Sequence, residues 1–275
     1  MFSTAHLIWI GISAVLIVGG LIACRILRPS LEKVLQACFV MGVASEVVKV
    51  FSVSRILPMV TPAIAGGELT YTVSGQYTPY LEMADLPLEM CSLMIAFLAL
   101  SLFLKNTRQR SILFSLMYIT GLIGGLMGIF LAYITADFHT VGEYFASPRV
   151  WQYFLYHAMV VFLGIYLGLR EDSDVSLRRF KSTVGLILLL DLPTFYLNSV
   201  FSQAAYVEGK PVGVLYRTNF FSSYVNPLGL VLTEKWQWIA YLGVRLALAT
   251  ALIMLMLSLA PLLRRALWKE KTAAK

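Results

Sequence analysis

The chain has 275 residues, of which 59% are hydrophobic and only 13% charged, and its mean hydropathy is +0.76. A soluble domain carries about 25% charged residues, so the composition excludes one and points to a membrane protein. The net charge of +7 would suit a nucleic-acid binder, but the Lys and Arg residues cluster in short connectors between apolar runs, which argues against that partner.

Seven stretches approach the roughly 17–25 apolar residues that cross a bilayer. They lie near Leu7–Cys24, Val34–Val53, Leu86–Leu104, Ile112–Ile134, Val150–Leu169, Val184–Val200 and Trp236–Leu257. The sequence therefore predicts an all-α, polytopic bundle of seven transmembrane helices forming a single domain over 1–275. The first span is not a cleaved signal peptide on this reading, because its positive charges follow the apolar run. The second is the most polar, with Glu46 and Lys49 inside it. Long outer connectors, 54–85 and 201–235, separate spans two from three and six from seven. Aromatic residues such as Tyr206, Tyr216 and Phe220 crowd the second connector. They fit either a segment lying along the membrane surface or a solvated loop with interfacial anchors.

Orientation follows from the basic residues. Arg25, Arg28, Lys33, Lys105, Arg108, Arg110, Arg170, Arg178, Arg179, Lys181, Arg264, Arg265, Lys269, Lys271 and Lys275 fall in connectors on one side, against Arg55, Arg149, Lys210, Arg217 and Lys235 on the other. This bias places the N-terminus outside and the C-terminus in the cytoplasm of a cell membrane, with a bacterial cytoplasmic membrane as the expected setting.

Ionisable or reactive residues within the spans are few: Glu46, Lys49, Cys91, His157, Asp191 and Arg245, with Glu89 close by. Polar groups inside hydrocarbon are costly and mark working sites. In the run Leu86-Pro87-Leu88-Glu89-Met90-Cys91, Asp85 reads as a helix cap and Pro87 as a first-turn residue. Cys91 is then about one turn into the third helix. At about 1.5 Å per residue, Cys91 is some 7–8 Å below the outer surface and His157 some 10 Å. Asp191, Glu46 and Arg245 count back to similar depths, so five helices contribute polar groups to one outer-half zone. His157 reads as the only internal histidine. A Cys–His pair is an activated nucleophile for acyl transfer; Asp191 or Glu46 would orient the imidazole, and Arg245 or Lys49 would hold a lipid phosphate or an oxyanion.

Each residue also has a plain structural explanation. Cysteine is a common small buried residue. Glu46 and Lys49 stand three apart on one helix face and can neutralise each other, and Asp191 with Arg245 can form an ion pair that fixes the bundle. Cys24, Cys38 and Cys91 form neither a disulfide framework nor a metal-ligand spacing, so neither cofactor nor metal is expected.

Leu86-Pro87-Leu88-Glu89-Met90-Cys91, the helix end Lys105-Asn106, and Tyr153-Phe154-Leu155-Tyr156-His157 together resemble the signature of the YwaF-type integral membrane family. Asn219-Phe220-Phe221 and Trp236-Gln237-Trp238 are a weaker echo. The resemblance implies a polytopic bundle related to animal acyltransferases that remodel ether phospholipids, and more distantly to androgen-induced lipid-ester hydrolases. It maps Cys91 to the nucleophile and His157 to the family histidine. Glu89 departs from the pattern, where the family often has His. The expected function is an intramembrane acyltransferase on phospholipid or lipid esters, with Cys91, His157 and Asp191 catalytic and Glu46, Lys49, Glu89, Asn198, Asn219 and Arg245 binding substrate. Membrane lipids are its expected partners. The alternative is a transporter or binding protein using the same residues, with Gly121, Gly124, Gly125, Gly128 and Pro193 permitting helix motion. Two further readings have less support. A seven-helix receptor lacks its motifs here, since no Asp-Arg-Tyr ends the third span and no Asn-Pro-x-x-Tyr lies in the seventh. A purely structural membrane subunit is the other.

Overall fold

The computed structural model describes residues 3–65, 68–82, 85–132, 140–207, 210–216 and 232–268. The elements run in chain order as α1 (Thr4–Leu27), α2 (Leu31–Val53), β1 (Arg55–Ala65), β2 (Glu68–Tyr80), α3 (Leu93–Phe103), α4 (Thr107–Phe130), α5 (Val141–Ala146), α6 (Pro148–Leu169), α7 (Phe180–Phe201), β3 (Gln203–Val207), β4 (Lys210–Tyr216) and α8 (Lys235–Leu267). Among the described residues, six helices are long and apolar enough to cross a membrane: α1, α2, α4, α6, α7 with the short turn before it, and α8. The chain is a mostly helical, multi-pass membrane protein.

Local chemistry sets the helix ends. α1 stops at Arg28, which sits in the left-handed region at φ 47° and returns its N–H to the Cys24 carbonyl. Pro29 follows, and Ser30 caps α2 with its side chain on the Lys33 N–H, so two helices turn back within three residues. Asn106 caps α4 through the N–H groups of Arg108 and Gln109. Pro148 takes the first position of α6, where its missing donor costs nothing.

The segment near Leu86–Leu104 differs from expectation. Its run is apolar apart from Glu89 and two serines, but regular helix begins only at Leu93, with Ser92 at the cap position. Residues 85–92 are a chain of turns, held by Leu88 N–H to Leu86 O and Met94 N–H to Cys91 O. Cys91 therefore precedes the helix instead of lying one turn inside it. Hydrophobicity alone does not distinguish a buried turn from a helix, and Asp85-Leu86-Pro87 breaks the helix rather than opening it. The 11 residues of α3 span about 16 Å, half a hydrocarbon layer. The two long connectors carry strands among their described residues: β1–β2 and β3–β4 are antiparallel hairpins.

α6 is the central helix, with buried residues on nearly every side. Its main partner is α4, and the two approach backbone to backbone through glycine. A Cβ on Gly121 would lie 2.8 Å from the Val160 carbonyl oxygen and 3.2 Å from the Gly164 Cα. Small residues that allow such contact drive helix association in lipid, where the hydrophobic effect cannot. Arg264 of α8 donates to the carbonyls of Gly168 and Val175, fastening α8 to the end of α6.

These contacts separate two neighbouring glycines. Gly121→Ala should destabilise the bundle by about 1–3 kcal/mol through overpacking, whereas Gly124, with nothing within 4 Å of its would-be Cβ, should accept Ala with no loss. Thermal unfolding of both variants in the same nanodiscs checks this; equal behaviour would discount the backbone contact.

Candidate functional site

One face of α6 assembles the site. Arg149, Gln152, Tyr153 and Tyr156 recur at helical spacing: Gln152 reaches α2, Arg149 and Tyr156 reach the segment before α3, and Tyr153 reaches α4. Arg149 hydrogen-bonds through its guanidinium to Gln152 Oε1, lies 4.0 Å from Asp85, and stands over the Tyr153 ring at 5.8 Å. Gln152 passes the link to α2 by donating to Ser45 Oγ at 2.7 Å. Next on α2, Lys49 and Glu46 are paired at 2.6 Å, with the lysine buried. The Arg149 charge is within Coulombic reach of Asp85, Tyr153, Glu46 and Cys91.

Cys91 is half-buried against the main core. Its carbonyl accepts a hydrogen bond from the Tyr156 hydroxyl at 2.5 Å. Its thiol is hydrogen-bonded by Ser92, through its N–H and hydroxyl, and feels the charge of the Glu89 carboxylate. His157, the next residue after Tyr156, is buried. Its Nδ1 pairs with the Tyr153 carbonyl at 2.7 Å. A carbonyl can only accept, so Nδ1 carries the proton and Nε2 is left with the lone pair. The imidazole edge rests on Gly128 of α4: a Cβ there would fall 2.1 Å from His157 Cδ2 and 2.5 Å from Nε2. No hydrogen bond joins the Cys91 thiol to His157 among the described residues. The two are linked through Tyr156, whose ring centroid is 5.7 Å from the imidazole and whose hydroxyl reaches the Cys91 backbone.

The end of α4 gathers further donors. Tyr153 donates its hydroxyl to the Gly128 carbonyl at 2.9 Å, and His6 Nε2 pairs with the Ile129 carbonyl at 2.8 Å. These are the terminal carbonyls that a helix leaves without intrahelical partners. His6 is buried beside Phe154, so His157 is not the sole internal histidine. His6 lies just ahead of the first apolar run, where the hydropathy pattern places it outside the span.

The polar residues of the spans divide into two groups. Glu46, Lys49 and Cys91 join the α6 face, with Glu89 beside the thiol. Asp191 and Arg245 instead pair with each other between α7 and α8, Arg245 donating to Asp191 Oδ1 at 2.8 Å. Pro193 stands inside α7, and Thr194 returns its hydroxyl to the Asp191 carbonyl. Asn198, two turns beyond Asp191, is fully buried, and its carbonyl accepts from Ser202. Asn219 lies outside the described residues. Arg149, Gln152, Tyr153 and Tyr156 are the residues that sequence reasoning passed over. Their i, i+3, i+4, i+7 spacing was available as a signal, but the basic-residue count assigned Arg149 to a connector.

A cavity of about 310 Å³ opens elsewhere, between the starts of α2 and α4 and the connector after α6. Its charges are paired: Arg110 with Glu32 at 2.5 Å, Arg170 with Asp172 at 2.7 Å, and Arg179 with Asp174. It lies at the far end of α6 from Arg149 and reads as an ion-pair knot closing that end.

Residues 1–258 match the model of the TMEM164 family. No curated protein and no solved structure matches the chain. With nearly the whole chain covered by the match, the protein belongs to the TMEM164 family, a family of membrane proteins.

The Asp191–Arg245 pair has a measurable signature. Asp191→Ala leaves a half-buried arginine without its counterion and should cost about 3 kcal/mol. Adding Arg245→Ala should restore much of that loss. A double-mutant cycle on unfolding in detergent checks the coupling; additive losses would show that the pair is not structural.

Proposed function

We propose that this member of the TMEM164 family is an intramembrane acyltransferase acting on phospholipid or lipid esters, with Cys91 as nucleophile and His157 as the base. The observation that carries the reading is the tether between them. Tyr156 holds the Cys91 backbone, and the adjacent His157 has Nδ1 committed to the Tyr153 carbonyl, so Nε2 is the atom able to take a proton. The resemblance of the Leu86–Cys91 and Tyr153–His157 runs to the YwaF-type family and its acyltransferase relatives supports the same roles. On this reading the turns and α3 complete a seventh crossing, the N-terminus is outside, and the site opens to the outer leaflet of a cell membrane.

The chemistry takes two balanced steps. The Cys91 thiol gives its proton to His157 and the sulfur attacks the ester carbonyl; the C–O bond breaks, a thioester forms, and His157 returns the proton to the leaving alkoxide. An acceptor hydroxyl then gives its proton to His157 and attacks the thioester, and the thiol leaves reprotonated. Water in place of the acceptor would make the same site a hydrolase. Substrate entry must close the distance between sulfur and imidazole, since catalytic hydrogen bonds often tighten only with substrate bound. On this reading Arg149 and Lys49 would exchange Asp85 and Glu46 for a lipid phosphate. Asp191 and Arg245, engaged with each other, serve the bundle on this reading.

Incubation with phospholipid followed by intact-mass measurement should reveal an acyl adduct on Cys91 that hydroxylamine removes, and Cys91→Ala should abolish both the adduct and turnover. Lipid turnover that survives Cys91→Ala refutes the proposal. His157→Gln should slow transfer by about 10²-fold or more. Gly128→Ala should act like His157→Gln, because its methyl group occupies the place of the imidazole edge; a fully active Gly128→Ala would show that the ring's seat is not needed.

A further inference from the structure

We propose that the β1–β2 hairpin lies flat in the headgroup layer of the membrane, with one defined face against the acyl chains. The register sorts its side chains. Cross-strand partners share a face, and Ile56↔Pro79, Pro58↔Tyr77 and Val60↔Val73 make one face apolar. The opposite face pairs Arg55↔Tyr80, Leu57↔Thr78 and Thr61↔Thr72. The irregularity between Pro58/Val60 does not mix the faces, because Val73 and Tyr77 are an even number of residues apart.

This apolar face is uncovered. Ile56 is 65% exposed, Val73 60% and Tyr77 66%, and among the described residues no helix packs along either strand. A lone two-stranded hairpin is marginal in water, so something must cover this one. Continuity identifies the cover. α2 carries lipid-exposed Val50 and Phe51 up to Val53, and β1 begins two residues later at Arg55, so the hairpin starts where the apolar surface of the bundle ends. Arg55 and Glu82, 3.7 Å apart, close its base at that level. Eleven residues of β1 reach about 36 Å, enough to extend well beyond the bundle edge. Tyrosines with an apolar body and a polar tip favour the boundary between headgroup and tail. A face of this composition matches a lipid surface.

Nitroxide scanning in nanodiscs of phosphatidylcholine and phosphatidylglycerol tests the proposal. Single labels at Val73→Cys, Tyr77→Cys, Thr72→Cys and Thr78→Cys, each with Cys24, Cys38 and Cys91 replaced by Ala, are read for collisions with oxygen and with a water-soluble nickel chelate. The ratio of oxygen to nickel collisions should be high at 73 and 77 and low at 72 and 78. Nickel access at all four positions would overturn the proposal by showing a solvated hairpin. Labels at 73 and 77 shielded from both reagents would overturn it in favour of a protein partner, and dipolar broadening would identify that partner as a second copy of the chain.

Discussion

The closeness of α4 and α6 is the constraint on which the remaining architecture depends. In lipid, helices gain nothing from hiding apolar side chains, so contact must come from fit. Gly121 meets the α6 backbone at Val160 and Gly164, and further along the same seam Gly128 receives the His157 ring. The seam that joins the helices thus also fixes the orientation of an ionisable group. α6 then presents its other faces to α1, α2 and α8, and the peripheral helices remain largely exposed around it.

From that fixed helix the polar contacts spread outward in sequence. Arg149 and Gln152 reach Asp85 and Ser45, Tyr156 reaches the Cys91 carbonyl, and Tyr153 closes the end of α4. Two of these links meet a polar side chain on the neighbour, Asp85 and Ser45, and two need only a backbone carbonyl, at Gly128 and Cys91. Buried polar networks of this kind are stable when every member is satisfied.

Much of the fold was legible from hydropathy, because six of the seven apolar runs became helices of spanning length. The remaining run, the third, misled at its start: mostly apolar residues continue through 86–92, but Asp85-Leu86-Pro87 opens a series of turns there instead of a helix. The two ion pairs were also legible. Glu46 and Lys49 stand at a helical spacing, and Asp191 and Arg245 are opposite charges that a membrane interior must neutralise. Equal depth proved a weaker guide, since depth says nothing of which way a helix face turns, and Asp191 and Arg245 meet each other between α7 and α8. The hairpins were hidden because Pro58, Pro62, Gly66 and Gly67 read as loop while the alternation of Val73, Tyr77 and their neighbours carried the strand signal. Gly121, Gly125 and Gly128 of α4, read as points of helix motion under the transporter alternative, are points of close packing, whereas Gly124 faces open space.

The hydrogen bond from Tyr156 goes to the main chain of residue 91 and leaves its side chain aside. That bond therefore does not depend on which side chain projects from that position, although the side chain itself packs against the core. A thiol, a hydroxyl or a methyl group would hang from the same tethered carbonyl, beside the same tyrosines and arginine. The tether and the side chain are thereby separable, so that a residue of similar volume could replace Cys91 without losing the bond that positions this segment.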